Sequence, residues 1–183
     1  LLISTITYAT DYYVDINASG QNNGTSWANA WESFSSINWG SVNPGDVIYV
    51  SGGTDSTVYY QNLNIRDDGS PGNFITIRNS HEAGHNGRVI IDGQFSRTGL
   101  ISTASSSGNT SSYIYIKGFE VRNGGSNEPA IQVYYGCSYI TFDSLLVYNN
   151  LERGFRLVAS TWGQNLHHIT IKNTAVITPL DQA

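Results

Sequence analysis

Three stretches of this chain repeat one another. Tyr113–Asn123 reads YIYIKGFEVRN, residues 139–149 read YITFDSLLVYN, and residues 168–178 read HITIKNTAVIT, at offsets of 26 and 29 residues. Each contains two short runs in which Ile, Val or Phe alternates with polar residues, broken at Gly118, Ser144 or Asn173. A third run follows in the spacer, AIQVYY at 130–135 and GFRLV at 154–158. The earlier FITIRN (74–79) supplies the first half of the same block, with Asn79 at the break. Alternation of period two marks strands buried on one face. Three such strands per repeat predict a coil wound in triangular rungs, each strand pairing in parallel with its equivalent in the next rung. The fold class is therefore all-β, a parallel β-helix.

Other segments fit this scheme: VIYV (47–50), LNI (63–65) and RVIID (88–92) are short β-type runs punctuated by Gly, Asn, Ser and Asp. The one helical signal comes before them. Trp27, Ala30, Trp31, Phe34 and Ile37 fall on one face at helical spacing, with Thr25 or Ser26 as N-cap and Gly40 beyond the end. This predicts an amphipathic helix over 27–39 that covers the open end of the coil. The expected organisation is a signal-peptide remnant or N-terminal strand over 1–10, then one domain over 11–183 with a cap at 11–45 and rungs at 46–183. The final PLDQA follows directly on a strand, which reads as a piece of a longer helix or an end closed by another molecule.

Composition narrows the function. The 183 residues carry 9 Lys and Arg against 14 Asp and Glu, a net charge of −5, with no basic cluster, so no nucleic-acid partner is expected. No apolar run is long enough to span a membrane. A single cysteine, Cys137, excludes an internal disulfide.

YYVD (12–15) with its NASGQNNGTS loop, NPGDVIYV (43–50) and above all GNFITIRNSHEAGHNGRVIIDG (72–93) resemble the opening of right-handed parallel β-helix proteins of the pectin-lyase-like superfamily. The look is closest to polysaccharide lyases of the chondroitinase B and alginate lyase type. The resemblance implies the right-handed fold and an acidic polysaccharide as partner. It does not supply the outward Asp cluster of pectate lyases or the paired Asp residues of polygalacturonases. In chondroitinase-B-like members the catalytic Lys and Arg lie well beyond the first few rungs.

Aligning AIQVYY with GFRLV stacks Ile131 on Phe155 and Val133 on Leu157, both inward. Gln132 and Arg156 then project outward from adjacent rungs, with Tyr134 and Tyr135 nearby and Arg153 at the strand entrance. A lyase must neutralise a uronate carboxylate and remove the proton beside it, which is work for Arg, Lys or calcium with a base. Arg156, Arg153, Gln132 and Tyr134 are the candidate sugar contacts; ordinary solvent-facing residues are the alternative. Asp15, Asn17 and Ser19, followed by Gly20, match the first half of a calcium loop and lack its closing Glu, since Ser26 stands there. A polar turn is the alternative. His81-Glu82-Ala83-Gly84-His85 matches H-E-x-x-H, but a loop between strands cannot place both histidines on one helix face. Phe74, Tyr113, Tyr139 and His168 should form an aromatic column.

The expected function is an exported, lyase-like, carbohydrate-binding protein found outside the cell or on its surface. The rival is a non-enzymatic adhesin or fibre subunit, self-associating through residues 1–9 or an open end of the coil.

Overall fold

The computed structural model describes residues 9–103, 111–134, 136–158 and 166–177. The segment 1–8, on which the leader and strand-donation readings rest, and Tyr135 lie outside them. The described chain winds as a right-handed parallel β-helix built from three sheets. Sheet A holds β1 (Asp11–Val14), β2 (Val47–Val50), β5 (Ile75–Asn79), β8 (Ile114–Lys117), β11 (Ser138–Asp143) and β14 (His167–Lys172), in that order. Sheet B holds β3 (Ser56–Tyr59), β6 (Arg88–Asp92), β9 (Phe119–Arg122), β12 (Leu146–Tyr148) and β15 (Ala175–Ile177). Sheet C holds β4 (Leu63–Ile65), β7 (Ile101–Thr103), β10 (Ile131–Val133) and β13 (Phe155–Leu157). Every pairing between these strands is parallel, as the repeat predicts.

Stacked inward residues form the core. In sheet A, Ile75 lies beside Ile114 and Ile140, and Ile77 beside Ile116 and Phe142, all fully buried. In sheet C, Leu63, Ile101 and Ile131 form the equivalent column. Cys137 is buried among Thr103 and Ser111, and burial pushes its thiol pKa up, so it is packing rather than a reactive thiol.

Sheets A and B meet at a one-residue corner with positive φ, occupied in successive rungs by Gly118, Ser144 and Asn173. At position 118 a Cβ would come within 2.2 Å of the Asn79 amide oxygen at a φ of +80°, which favours glycine beneath that side chain. Asn79 and Asn173 share this corner position, with Gly118 and Ser144 between them, and a side-chain ladder of asparagines forms elsewhere. At the exit of sheet B, Asn149 donates to Asn123 at 2.6 Å, and both residues have positive φ. The aromatic column is present: Tyr113 stacks on Tyr139 at 4.6 Å and Tyr139 on His168 at 4.4 Å, with Phe74 edge-on to Tyr113. Because the rings stack on one another, they offer edges rather than faces to solvent.

The helix expected over 27–39 does not form. Trp31 instead makes a parallel bridge to Val14: its amide donates to the Tyr13 carbonyl (2.9 Å), and its carbonyl accepts from Asp15 (3.0 Å). Around it, short polar side chains bond the backbone locally. Ser26 Oγ accepts from the Asn29 amide and Ser33 Oγ from the Ser36 amide, leaving only two 3₁₀ turns at Phe34–Ser36 and Trp39–Ser41. Ser and Asn compete with helix hydrogen bonding in this way, and edge pairing with β1 prevails. Most of the apolar side chains still reach the place expected of them: Trp31, Phe34 and Ile37 join the core cluster at this end together with Val42, whereas Trp27 stays half-buried over His85. The NPGD turn that leads into β2 is held by Asp46, which accepts from the Thr10 and Asn43 amides at 2.7 and 2.8 Å.

Candidate functional site

On the outer face of sheet C, Gln132 pairs with Arg156 in register, one rung apart, as the alignment of AIQVYY with GFRLV required. Ile131 and Val133 point inward and are fully buried, which sends the Gln132 side chain outward. With the Gln132 amide orientation assigned from its neighbours, its oxygen accepts from Arg156 Nη2 (2.6 Å) and Nε (3.2 Å) and its nitrogen donates to the Tyr134 hydroxyl (2.9 Å). The other edge of the guanidinium pairs with Glu128, Nη1 to Oε2 at 2.8 Å. Gln132 is almost wholly covered, whereas the Arg156 side chain keeps 32% exposure. The two earlier rungs continue the same column with Ser102 and Asn64, whose side chains bond at 2.6 Å. The result is a polar strip along the helix axis, ending in one oriented guanidinium.

Arg153 is not part of this cluster; it pairs with Glu152 at 3.3 Å on the strand entrance. Glu128 was missed in the sequence because it stands in the turn before β10, where strand alternation gives no direction.

Asp15 accepts from the Asn17 amide at 2.9 Å, and its other oxygen lies 3.3 Å from His85 Nδ1. Both carboxylate oxygens are thus engaged within the protein, in the geometry of a polar turn, while Asn17 and Ser19 stay at the surface. His85 also meets Ser51 Oγ at 3.0 Å and stacks on Trp27 at 3.9 Å, with the Trp27 indole donating to Glu82. Asp15 and Ser51 both approach the same ring nitrogen, so the trio lacks the two-sided geometry of a catalytic triad. The H-E-x-x-H segment forms a turn, and His81 faces Arg78 rather than His85. Among the described residues, no three His, Cys, Asp or Glu side chains converge as a metal site.

Two further polar networks lie away from sheet C. On sheet B, Arg122 bridges Asp92 (2.8 Å) and Glu120 (3.2 Å), and Tyr148 donates to Glu120 at 2.7 Å. On sheet A, Asp143 accepts from the Tyr115 hydroxyl, from Asn173 and from Ser144, both at 2.9 Å. Led by the Tyr115 bond, these donors hold the Asp143 carboxyl down to about 2. Its pKa is thus depressed relative to the unfolded chain, so its contribution to stability is present above about pH 4 and lost as pH falls toward 2. Thermal unfolding between pH 5 and 2 should therefore show a shallower acid slope for Asp143→Asn than for the natural chain; parallel slopes would contradict it.

These sheets and corners define a parallel β-helix, and its form fits the pectin-lyase-like type. The comparisons point to the same proteins. Pectate lyase L of Dickeya dadantii (strain 3937) is 30% identical over 154 residues, which is 80% of this chain and 33% of that protein. Pectate lyase L of Dickeya chrysanthemi is 29% identical over the same span. The chain therefore covers about a third of the length of these relatives. Among solved structures, a rhamnogalacturonan lyase superposes with TM-score 0.63 at 19% identity, covering 81% of this chain and 38% of that one. Pectate lyase Pel9A superposes with TM-score 0.60 at 22% identity, covering 92% and 40%. No protein-family model matches the chain. Among the described residues, no helix is long and apolar enough to cross a membrane.

Proposed function

We propose that this chain is the glycan-binding early-rung part of an exported polysaccharide lyase acting on uronate polymers, with the outer face of sheet C as its contact surface. The observation that carries this reading is the Gln132–Arg156–Tyr134 cluster, held in register on an axial polar strip and ending in a guanidinium. A guanidinium held on one edge by an amide suits a carboxylate, to which it donates in a fixed fork. Glu128 occupies that position here, so a uronate would compete with it for Arg156. The pectate lyase relatives support the substrate class. Polymeric substrates of this size are met outside the cell, which is the reason for proposing export.

The described residues hold an anion-binding group at Arg156 and a hydroxyl at Tyr134. They include no general base set beside a second cation on sheet C, so no elimination step is assigned to them. The test is retardation of the chain in gels containing polygalacturonate, with Arg156→Gln beside it. About a tenfold loss of affinity is expected for the variant, the worth of one well-oriented charge contact. Absorbance of unsaturated products, followed with and without calcium, reports turnover separately. A chain that migrates identically with and without polygalacturonate would overturn the reading.

A further inference from the structure

Sheet A carries a second outward column that the sheet C site does not use. Tyr13, Tyr49, Arg78, Lys117, Asp143 and Lys172 follow one another in register, one per rung. Rungs are spaced ~4.8 Å apart, close to the length of one pyranose unit. Between Arg78 and Lys172 the column holds three cations and one carboxylate, in a chain of net charge −5. Arg78 and Lys117 lie directly abreast, a like-charge pairing that weakens a sheet unless something else uses it. Arg78 makes its contacts with His81 and the Asn79 carbonyl, and among the described residues it pairs with no carboxylate. The parallel column beside it, Thr76, Tyr115, Thr141 and Thr170, adds a row of hydroxyls.

Asp143 is the organising group. It is buried, and its oxygens are filled by Tyr115, Asn173 and Ser144, while Lys117 and Lys172 stand 3.9 and 3.8 Å away on either side. The two ammonium groups are thereby held in place, yet their side chains remain 35% and 49% exposed. The other carboxylates near this face lie at its N-terminal end: Asp11, and Glu82 on the Trp27 indole.

We infer that the outer face of sheet A is a second binding surface for a linear acidic glycan, laid along the helix axis with its carboxylates on Arg78, Lys117 and Lys172. It rests on the reading that the chain meets uronate polymers. It lies on a different face of the coil from Arg156, so one polymer strand on sheet A leaves sheet C open. Such a surface would hold the protein on the polymer while the sheet C face binds another segment.

The experiment is affinity electrophoresis of the whole chain in polygalacturonate, with fully methyl-esterified pectin as the uncharged control. Lys117→Gln with Lys172→Gln should weaken polygalacturonate binding about tenfold, the sum expected of two exposed charge contacts. Lys117→Arg with Lys172→Arg should retain it, and Arg78→Gln, which disturbs no carboxylate, should weaken it about threefold. Unchanged binding in the Gln pair and in Arg78→Gln, with loss only in Arg156→Gln, overturns the sheet A surface and leaves the sheet C reading standing. Absence of any retardation of the natural chain overturns both. If the Gln pair does not fold by circular dichroism, Arg78→Gln decides alone.

Discussion

Replacing Arg122 by Met should lower the stability of the fold by about 3 kcal/mol, the low end of the cost of breaking a buried ion pair. The reason is the company it keeps. Asp92 and Glu120 have side chains only 7% and 8% exposed, and Arg122 bonds both. Burial by itself pushes the Asp92 pKa up, but the donors Arg122, the Gln94 amide and Asn123 outweigh it and hold it below the ordinary carboxylate value. Removing the guanidinium takes away a charged donor and leaves the Gln94 amide and Asn123 alone against burial at Asp92. Glu120 is better protected, because it keeps Tyr148 at 2.7 Å and Arg88 at 3.4 Å, which is why the expected cost is not larger.

The pH dependence gives this prediction a distinctive sign. In the natural chain the depressed Asp92 carboxyl contributes stability above its unfolded pKa of about 4, and that contribution is lost as pH falls through the lower folded value. In Arg122→Met the folded pKa moves back toward the unfolded value, so that much of this pH-dependent contribution is missing at neutral pH. The gap in Tm between the two proteins should be roughly 6–12 °C at pH 7 and should narrow toward pH 4. Adding Asp92→Asn and Glu120→Gln should recover most of it. A gap that stays constant with pH would show that the loss is one of packing, not of charge.

How far the sequence carried these conclusions differs from element to element. The repeat in YIYIKGFEVRN, YITFDSLLVYN and HITIKNTAVIT placed β8, β9, β11, β12, β14 and β15, because one inward Ile or Val every second residue is the condition for a shared core. The pairing of Gln132 with Arg156 followed from the same rule, as a one-residue slip would have turned both inward. β3 and β7 escaped notice: Ser56–Tyr59 and Ile101–Thr103 are short, and each carries Ser and Thr that read as loop until the neighbouring strands supply pairing. The 27–39 segment misled in another way. Its apolar spacing was right about the burial of Ala30, Trp31, Phe34 and Ile37, though not of Trp27, and silent about backbone, since a turn, a bridge at Trp31 and two 3₁₀ turns can bury the same side chains as a helix. The Arg122 network went unread, because the register that sets Asp92 beside Arg122 appears only in the strand pairing. What the sequence lacked was the turn residues, such as Glu128, whose direction is set by corners rather than by alternation.

Those same corners and turns make the N-terminal end the place where one substitution should matter most. A parallel coil ends in a layer of apolar side chains and a strand edge with unpaired amides, both of which must be covered. Here one residue serves both needs. The Trp31 backbone pairs with β1 through Tyr13 and Asp15, while the Gly24 carbonyl accepts from the Tyr13 amide at 3.0 Å. Its ring, 1% exposed, stacks on Tyr12 at 5.0 Å and packs against Gly24, where a Cβ would sit 2.6 Å from the indole. Trp31→Ala should therefore cost about 3–5 kcal/mol, the range for emptying a buried aromatic site. It should also uncover Phe34, Ile37 and the β1 edge, so that loss of stability is accompanied by association at rising protein concentration. Trp27→Ala is the control, since that ring is half-buried and lies over His85 and Glu82 rather than over the core. Chemical denaturation with light scattering on both variants separates the outcomes. A large loss with association in Trp31→Ala alone identifies the ring as the closure of this end; equal, small losses in both would mean that the backbone pairing closes the end without it.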